Sequence, residues 1–76
     1  MVEKGQIMFQ SVKVESSAIS EVSYDKETQI LRIQFVRGAE YDYPNVPEQE
    51  FKNLISAPSV GRYYNTNIKK YAVAQN

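Results

Sequence analysis

The stretch Ile30-Leu31-Arg32-Ile33-Gln34-Phe35-Val36-Arg37 decides the fold of this 76-residue chain. Leu31, Ile33 and Phe35 fall on one side and Arg32 and Gln34 on the other, the period of two of a strand with one face on a core. Toward the C-terminus, Gly38-Ala39 predicts a tight turn into a second strand, Glu40-Tyr41-Asp42-Tyr43, with Tyr41 and Tyr43 on one face and Asp42 opposite. Toward the N-terminus, Asp25-Lys26-Glu27-Thr28 reads as a polar turn whose Asp25 can accept from backbone N–H groups ahead of it. Ala18 to Tyr24 precedes that turn as a strand of mixed polarity, so three strands form an antiparallel meander. A further short strand is expected within Ile7 to Val14, carried by Ile7, Met8, Phe9, Val12 and Val14, with the first six residues frayed.

Beyond the strands the period changes. Pro44 ends the last strand, and Pro47 suits the first position of a helix whose early Glu48 and Glu50 complement its dipole. Phe51, Leu54 and Ile55 make one apolar stripe, and the helix must stop by Ala57, before Pro58. Ser59 is an N-cap candidate for a second helix with Gly61, Tyr64, Ile68 and Tyr71 facing inward. Gly61 weakens that helix, which predicts a close approach of backbone or an aromatic ring. The opposite side carries Arg62, Tyr63, Thr66, Lys69 and Lys70. The expected fold is α+β: a small antiparallel three- to four-stranded β-meander followed by two C-terminal α-helices packed on one face. Residues 14–71 form the domain, 1–13 an extension or first strand, and 72–76 a tail.

Composition removes most chemistry. A chain this short buries only about 60–65% of its unfolded surface, so stability rests on one small core. With 42% apolar residues and only three Gly and three Pro, a folded globule is expected rather than disorder. The chain has no Cys and no His, which argues against disulfide staples, zinc sites, and Ser-His-Asp or Cys-His catalysis. Glu48 and Glu50 lie on opposite sides of a helix, and Asp25 and Asp42 belong to a turn and a strand facing elsewhere, so no carboxylate pair is set for acid/base work or a hard metal. Neither a Walker-type phosphate loop nor a dinucleotide fingerprint is present. No catalytic residue, cofactor or metal is therefore expected.

No apolar run approaches the ~20 residues that span a bilayer, and Met1-Val2-Glu3-Lys4-Gly5 lacks the build of a signal peptide, so a cytoplasmic protein without membrane contact is expected. Self-association into a homodimer would add stability that a small core lacks. The net charge of zero conceals a split: all nine acids lie in residues 1–50, while 51–76 hold Lys52, Arg62, Lys69 and Lys70 and no acid. That asymmetry points to an anionic partner, with solubility as the plainer reading.

The pattern from Val14 to Tyr71 resembles the KTSC domain, a small domain found at the C-terminus of some lysyl-tRNA synthetases and as free-standing bacterial and phage proteins. The resemblance rests on Ser16-Ser17 with Ile19, Tyr24-Asp25, the Leu31 to Phe35 strand, Gly38, Tyr41-Asp42-Tyr43, Val46-Pro47, and the run from Ala57 to Asn65 with Ile68 and Tyr71. Ser59, Gly61 and Asn65 are the motif residues of that run, and Pro58 departs from it. The resemblance implies a β-meander with two C-terminal helices and, from the synthetase context, RNA binding. It carries over no catalytic residue and no aminoacylation.

Two constellations are candidates for binding. Arg62, Thr66, Lys69 and Lys70 can meet phosphates, with Tyr63 on the same flank to stack a base. Tyr41 and Tyr43 could form a two-ring platform for unstacked bases, although core packing is the simpler role for both. Tyr64 and Tyr71 are read as packing residues. Ser59, Gly61 and Asn65 could hold a phosphate at a helix start, or serve as a cap and a loop contact. The expected function is a non-enzymatic module binding RNA, as tRNA or a single strand. The alternatives are a protein-interaction or homodimerisation module and a module that sequesters a small nucleotide.

Overall fold

The structure, a computed structural model, describes residues 9–71. Four antiparallel strands, β1 (Gln10–Lys13), β2 (Ile19–Asp25), β3 (Ile30–Phe35) and β4 (Glu40–Tyr43), lie in the order β1-β2-β3-β4. Two helices follow, α1 (Glu48–Ile55) and α2, which begins at Val60–Tyr63 and continues through Tyr64–Ile68. The α+β meander with two C-terminal helices is the expected fold. The extension read before residue 14 supplies the first strand, pairing Val12 with Val22 inside the chain. Ile7, Met8 and the tail at 72–76 lie outside the described residues.

The period of β3 does what its sequence requires: Leu31 and Ile33 are fully buried, and Phe35 packs at the margin of the same core. Register places Val22 and Tyr41 beside Ile33, and Tyr24 and Tyr43 beside Leu31, so these side chains share one face. The mixed polarity of β2 has a physical cause. A bulge between Ile19 and Glu21 puts Ile19 opposite Phe35, returning Ile19 to the core face despite its odd spacing from Val22. Phe51 stacks on Tyr24 with ring centres 5.1 Å apart, and Leu54, Val60, Tyr64 and Ile68 complete the core from the helices. Tyr24 reaches past the sheet to donate its hydroxyl to the Val46 carbonyl at 2.5 Å.

On the other face Arg32 donates to both carboxylate oxygens of Asp42, at 2.7 and 3.0 Å, and the Phe9 ring centre lies 4.2 Å from the guanidinium carbon. The turns behave as their residues dictate. Asp25 accepts from the Glu27 N–H and the Thr28 hydroxyl, and Gly38 takes φ +106°, a conformation closed to L side chains without strain.

Three details of the helices depart from the sequence reading. Pro47 is the N-cap of α1, one place before its first helical residue. The last helix widens into a π-turn over Tyr64–Ile68, with the Lys69 N–H donating to the Tyr64 carbonyl at 2.9 Å. Asn65, Thr66 and Asn67 are weak helix formers, so the α-ladder yields there. Helix ends at Ile68, and Tyr71 is held by a turn in which its N–H donates to the Ile68 carbonyl.

Candidate functional site

Ser59 caps the last helix as its residue type predicts: its Oγ accepts the Arg62 N–H at 3.3 Å. From that start the helix turns Val60, Tyr64 and Ile68 into the core and leaves Arg62, Asn65 and Thr66 exposed, while Lys69 and Lys70, expected on the same helix, stand exposed in the turn just past its end. The outward basic side is therefore present. Among the described residues, Arg62, Lys69 and Lys70 have no acid within ion-pair distance. Their charge is available to a ligand, with the Lys70 Nζ 6.0 Å from the centre of the Tyr71 ring.

The aromatic part of the expectation changes. Tyr43 is 3% exposed, and its hydroxyl shares a 2.5 Å hydrogen bond with that of Tyr64. Burial, then that hydrogen bond, pushes its phenol well above the ordinary value. Tyr41 lies half-buried on the same helix-covered face, edge-on to Phe35 at 5.5 Å. Tyr41 and Tyr43 thus form no open stacking platform; the side of the sheet they share is the core side, which is the packing role the sequence favours for both. Tyr63 also leaves the outward side. It is half-buried and donates its hydroxyl to Glu50 Oε1 at 2.5 Å, while Tyr71 donates to Glu50 Oε2 at 3.1 Å. The bond to Glu50, followed by burial, raises the Tyr63 phenol, and burial followed by the same carboxylate raises Tyr71. One residue along a helix is a rotation of about 100°, enough to carry Tyr63 from the Arg62 side to the α1 side.

Ser59, Gly61, Arg62 and Asn65 line one wall of an open cleft of about 550 Å³. The other wall is the β1–β2 loop, Glu15 to Ala18. Ser16 shapes that loop, its Oγ accepting the N–H groups of Ala18 and Ile19 at 3.2 and 3.3 Å. The close neighbour expected at Gly61 is neither backbone nor ring but this same hydroxyl. Helical spacing could not reveal the loop wall, since these residues are over 40 positions away in sequence; Ser16-Ser17 carried only a pattern resemblance. Hydroxyl, amide and guanidinium groups here can bind an anion or a polar edge, with Glu15 adding one opposing charge. Among the described residues no group of three or more acids could hold a metal, and no helix is long and apolar enough to cross a membrane.

The profile of the KTSC domain family matches residues 15–71, which contain both walls of the cleft. The chain belongs to the KTSC domain family. A KTSC domain protein of Yersinia pestis has a crystal structure that superposes with a TM-score of 0.85 and 36% identity, covering 91% of this chain and 99% of that one. A protein of Tsukamurella paurometabola is 46% identical over 56 residues, 74% of this chain and 84% of its own length. A lysine–tRNA ligase of Nostoc punctiforme is 41% identical over 63 residues, which are 83% of this chain and only 11% of the ligase. The KTSC domain is thus a free-standing chain in some relatives and a small part of a larger protein in others.

Proposed function

We propose that this KTSC domain is a non-enzymatic RNA-binding module acting in the cytoplasm, with the exposed side of the last helix as its phosphate-contacting surface. One observation carries the reading: Arg62 on the last helix and Lys69 and Lys70 in the turn that follows it stand exposed, without an acid partner among the described residues. Such cations position a nucleic-acid backbone, and the hydroxyl and amide groups of Ser59, Asn65 and Thr66 add neutral donors beside them. The occurrence of a similar domain within a lysine–tRNA ligase supports an RNA context without transferring the ligase activity. Tyr63 supports the surface by tying α2 to Glu50 of α1 rather than by stacking a base. Three cations imply modest affinity and a slope of log affinity against log salt of about −2 on single-stranded RNA. Anisotropy titrations of a labelled RNA at several salt concentrations test this; a flat salt response would remove backbone charge from the account.

A second reading, homodimerisation, is favoured by the outer edges of β1 and β4, at the two ends of the four-stranded sheet. Each edge strand is four residues long and would present its unpaired backbone groups to a second copy. Solution mass across a range of concentrations decides between monomer and dimer.

A further inference from the structure

The cleft beside Arg62 shares lining residues with two further concavities. On one side it shares Ser17 and Ala18 with a hollow of about 430 Å³ against Phe35, Val36 and Arg37. On the other it shares Pro58, Ser59 and Arg62 with a hollow of about 340 Å³ that extends to Ala57 and Tyr63. Each lies within the range of about 300–1,000 Å³ usual for ligand pockets. The band runs from the β3–β4 hairpin, past the β1–β2 loop, to the junction of α1 and α2.

Its chemistry alternates. The hairpin end presents Val36, 59% exposed, and the Phe35 ring with the Arg37 guanidinium carbon 5.4 Å from its centre. The middle is polar, with Ser16, Ser17, Asn65 and Arg62. The far end is mainly apolar, with Ala57, Pro58 and Tyr63. An apolar, polar, apolar succession suits the base, phosphodiester and base of one dinucleotide step in an unpaired strand. A duplex cannot offer that succession, because its bases are stacked and paired inside. Arg37 and Arg62, neither with an acid in ion-pair range among the described residues, supply positive charge at one flank and at the centre.

We propose that this band binds single-stranded RNA, seating a phosphodiester between Arg62 and Asn65 and its two adjoining bases against Val36–Phe35 and Ala57–Pro58. The proposal rests on the RNA-binding reading and deepens it: the cations at 69 and 70 attract any RNA, whereas the band selects an unpaired strand. Glu15, which also lines the middle, opposes the phosphate and holds the affinity down.

The test is an amide chemical-shift titration of ¹⁵N-labelled protein with a single-stranded 12-nucleotide RNA and with a blunt duplex of the same sequence. The single strand is expected to shift Ala18, Val36, Arg62 and Asn65 together and to bind about tenfold more tightly than the duplex. Val36→Ser, at an exposed position, is expected to weaken the single strand about threefold and leave the duplex unchanged, and Arg37→Gln to weaken the single strand about threefold and the duplex by less. Glu15→Gln is expected to strengthen it about twofold. Single-strand shifts confined to residues 62–70, or unchanged single-strand affinity in both hairpin variants, would overturn the band and leave the RNA reading standing. Weaker binding by Glu15→Gln would overturn the seat of the phosphate. Absence of RNA-induced shifts anywhere would overturn the band and the RNA reading together.

Discussion

Gly61 faces Ser16 across the cleft, so that a Cβ built on Gly61 would stand 3.4 Å from the Ser16 Oγ. One methyl group fits at that distance with little or no movement, and alanine favours helix over glycine by about 0.5–1 kcal/mol. Gly61→Ala is therefore expected to raise the melting temperature by a few degrees and to keep RNA affinity within about twofold. Gly61→Leu is expected to keep the fold but fill the cleft, weakening single-stranded RNA by tenfold or more. Thermal melts beside anisotropy titrations separate the two effects; a leucine variant that folds and binds like the parent would remove the cleft from the site.

Gly38 supplies the opposite case. Space is open around it, with nothing within 4 Å of a built Cβ, yet its φ of +106° excludes ordinary side chains. Gly38→Ala is expected to cost about 1–3 kcal/mol through backbone strain alone. Chemical denaturation should show the midpoint falling with an unchanged slope.

Glu50 of α1 ties down the last helix and Tyr71 by accepting from two phenols, Tyr63 and Tyr71. Both sites are half-exposed, so Tyr63→Phe and Tyr71→Phe are each expected to cost only about 1 kcal/mol. Because the two share one carboxylate, the double variant should differ from the sum by at least about 0.5 kcal/mol. A complete double-mutant cycle by denaturant unfolding checks this, and strict additivity would mean the two bonds act independently.

Alkaline pH should unfold the domain. Tyr24, Tyr43, Tyr63 and Tyr71 all hold their protons above the ordinary phenol value of 10.0: Tyr24, Tyr43 and Tyr71 first through burial, Tyr63 first through its bond to Glu50. A raised folded-state pKa stabilises below the unfolded value and is lost as pH climbs through the folded value. Stability is thus expected to be insensitive to these groups below about pH 9 and to fall steeply above pH 10. Ionisation of these four phenols and loss of circular dichroism followed together should change in step; any of the four titrating freely near 10 in a folded protein would contradict it.

Much of the fold was legible because its signals are local. The alternation of Leu31, Ile33 and Phe35, the Asp25 turn, Gly38 and the Ser59 cap each act within a few residues. Ile19 was less clear, since its place on the core face depends on a bulge against β3 that spacing does not show. The site was legible in part. Helical rotation separates Arg62 from the core, but a helix has two flanks, and only the position of α1 decides that Tyr63 turns to Glu50. Tyr41 and Tyr43 were correctly placed on one face, but which face the helices cover is a tertiary fact. The wall formed by Glu15 to Ala18 comes from the chain's other end and leaves no periodic trace. The π-turn at Tyr64–Ile68 was not legible, because the spacing of Gly61, Tyr64 and Ile68 reads as one regular helix.

The central claim is that charge on the outward side of the last helix and the turn that follows it binds RNA, and paired charge reversal at Lys69 and Lys70 tests it most directly. Both residues are exposed and outside the core, so Lys69→Glu with Lys70→Glu should leave circular dichroism unchanged. Anisotropy titration of a labelled single-stranded RNA and of tRNA at low salt is expected to show saturable binding by the parent and at least tenfold weaker binding by the folded variant. Equal binding by both proteins, or none by the parent, would contradict the account.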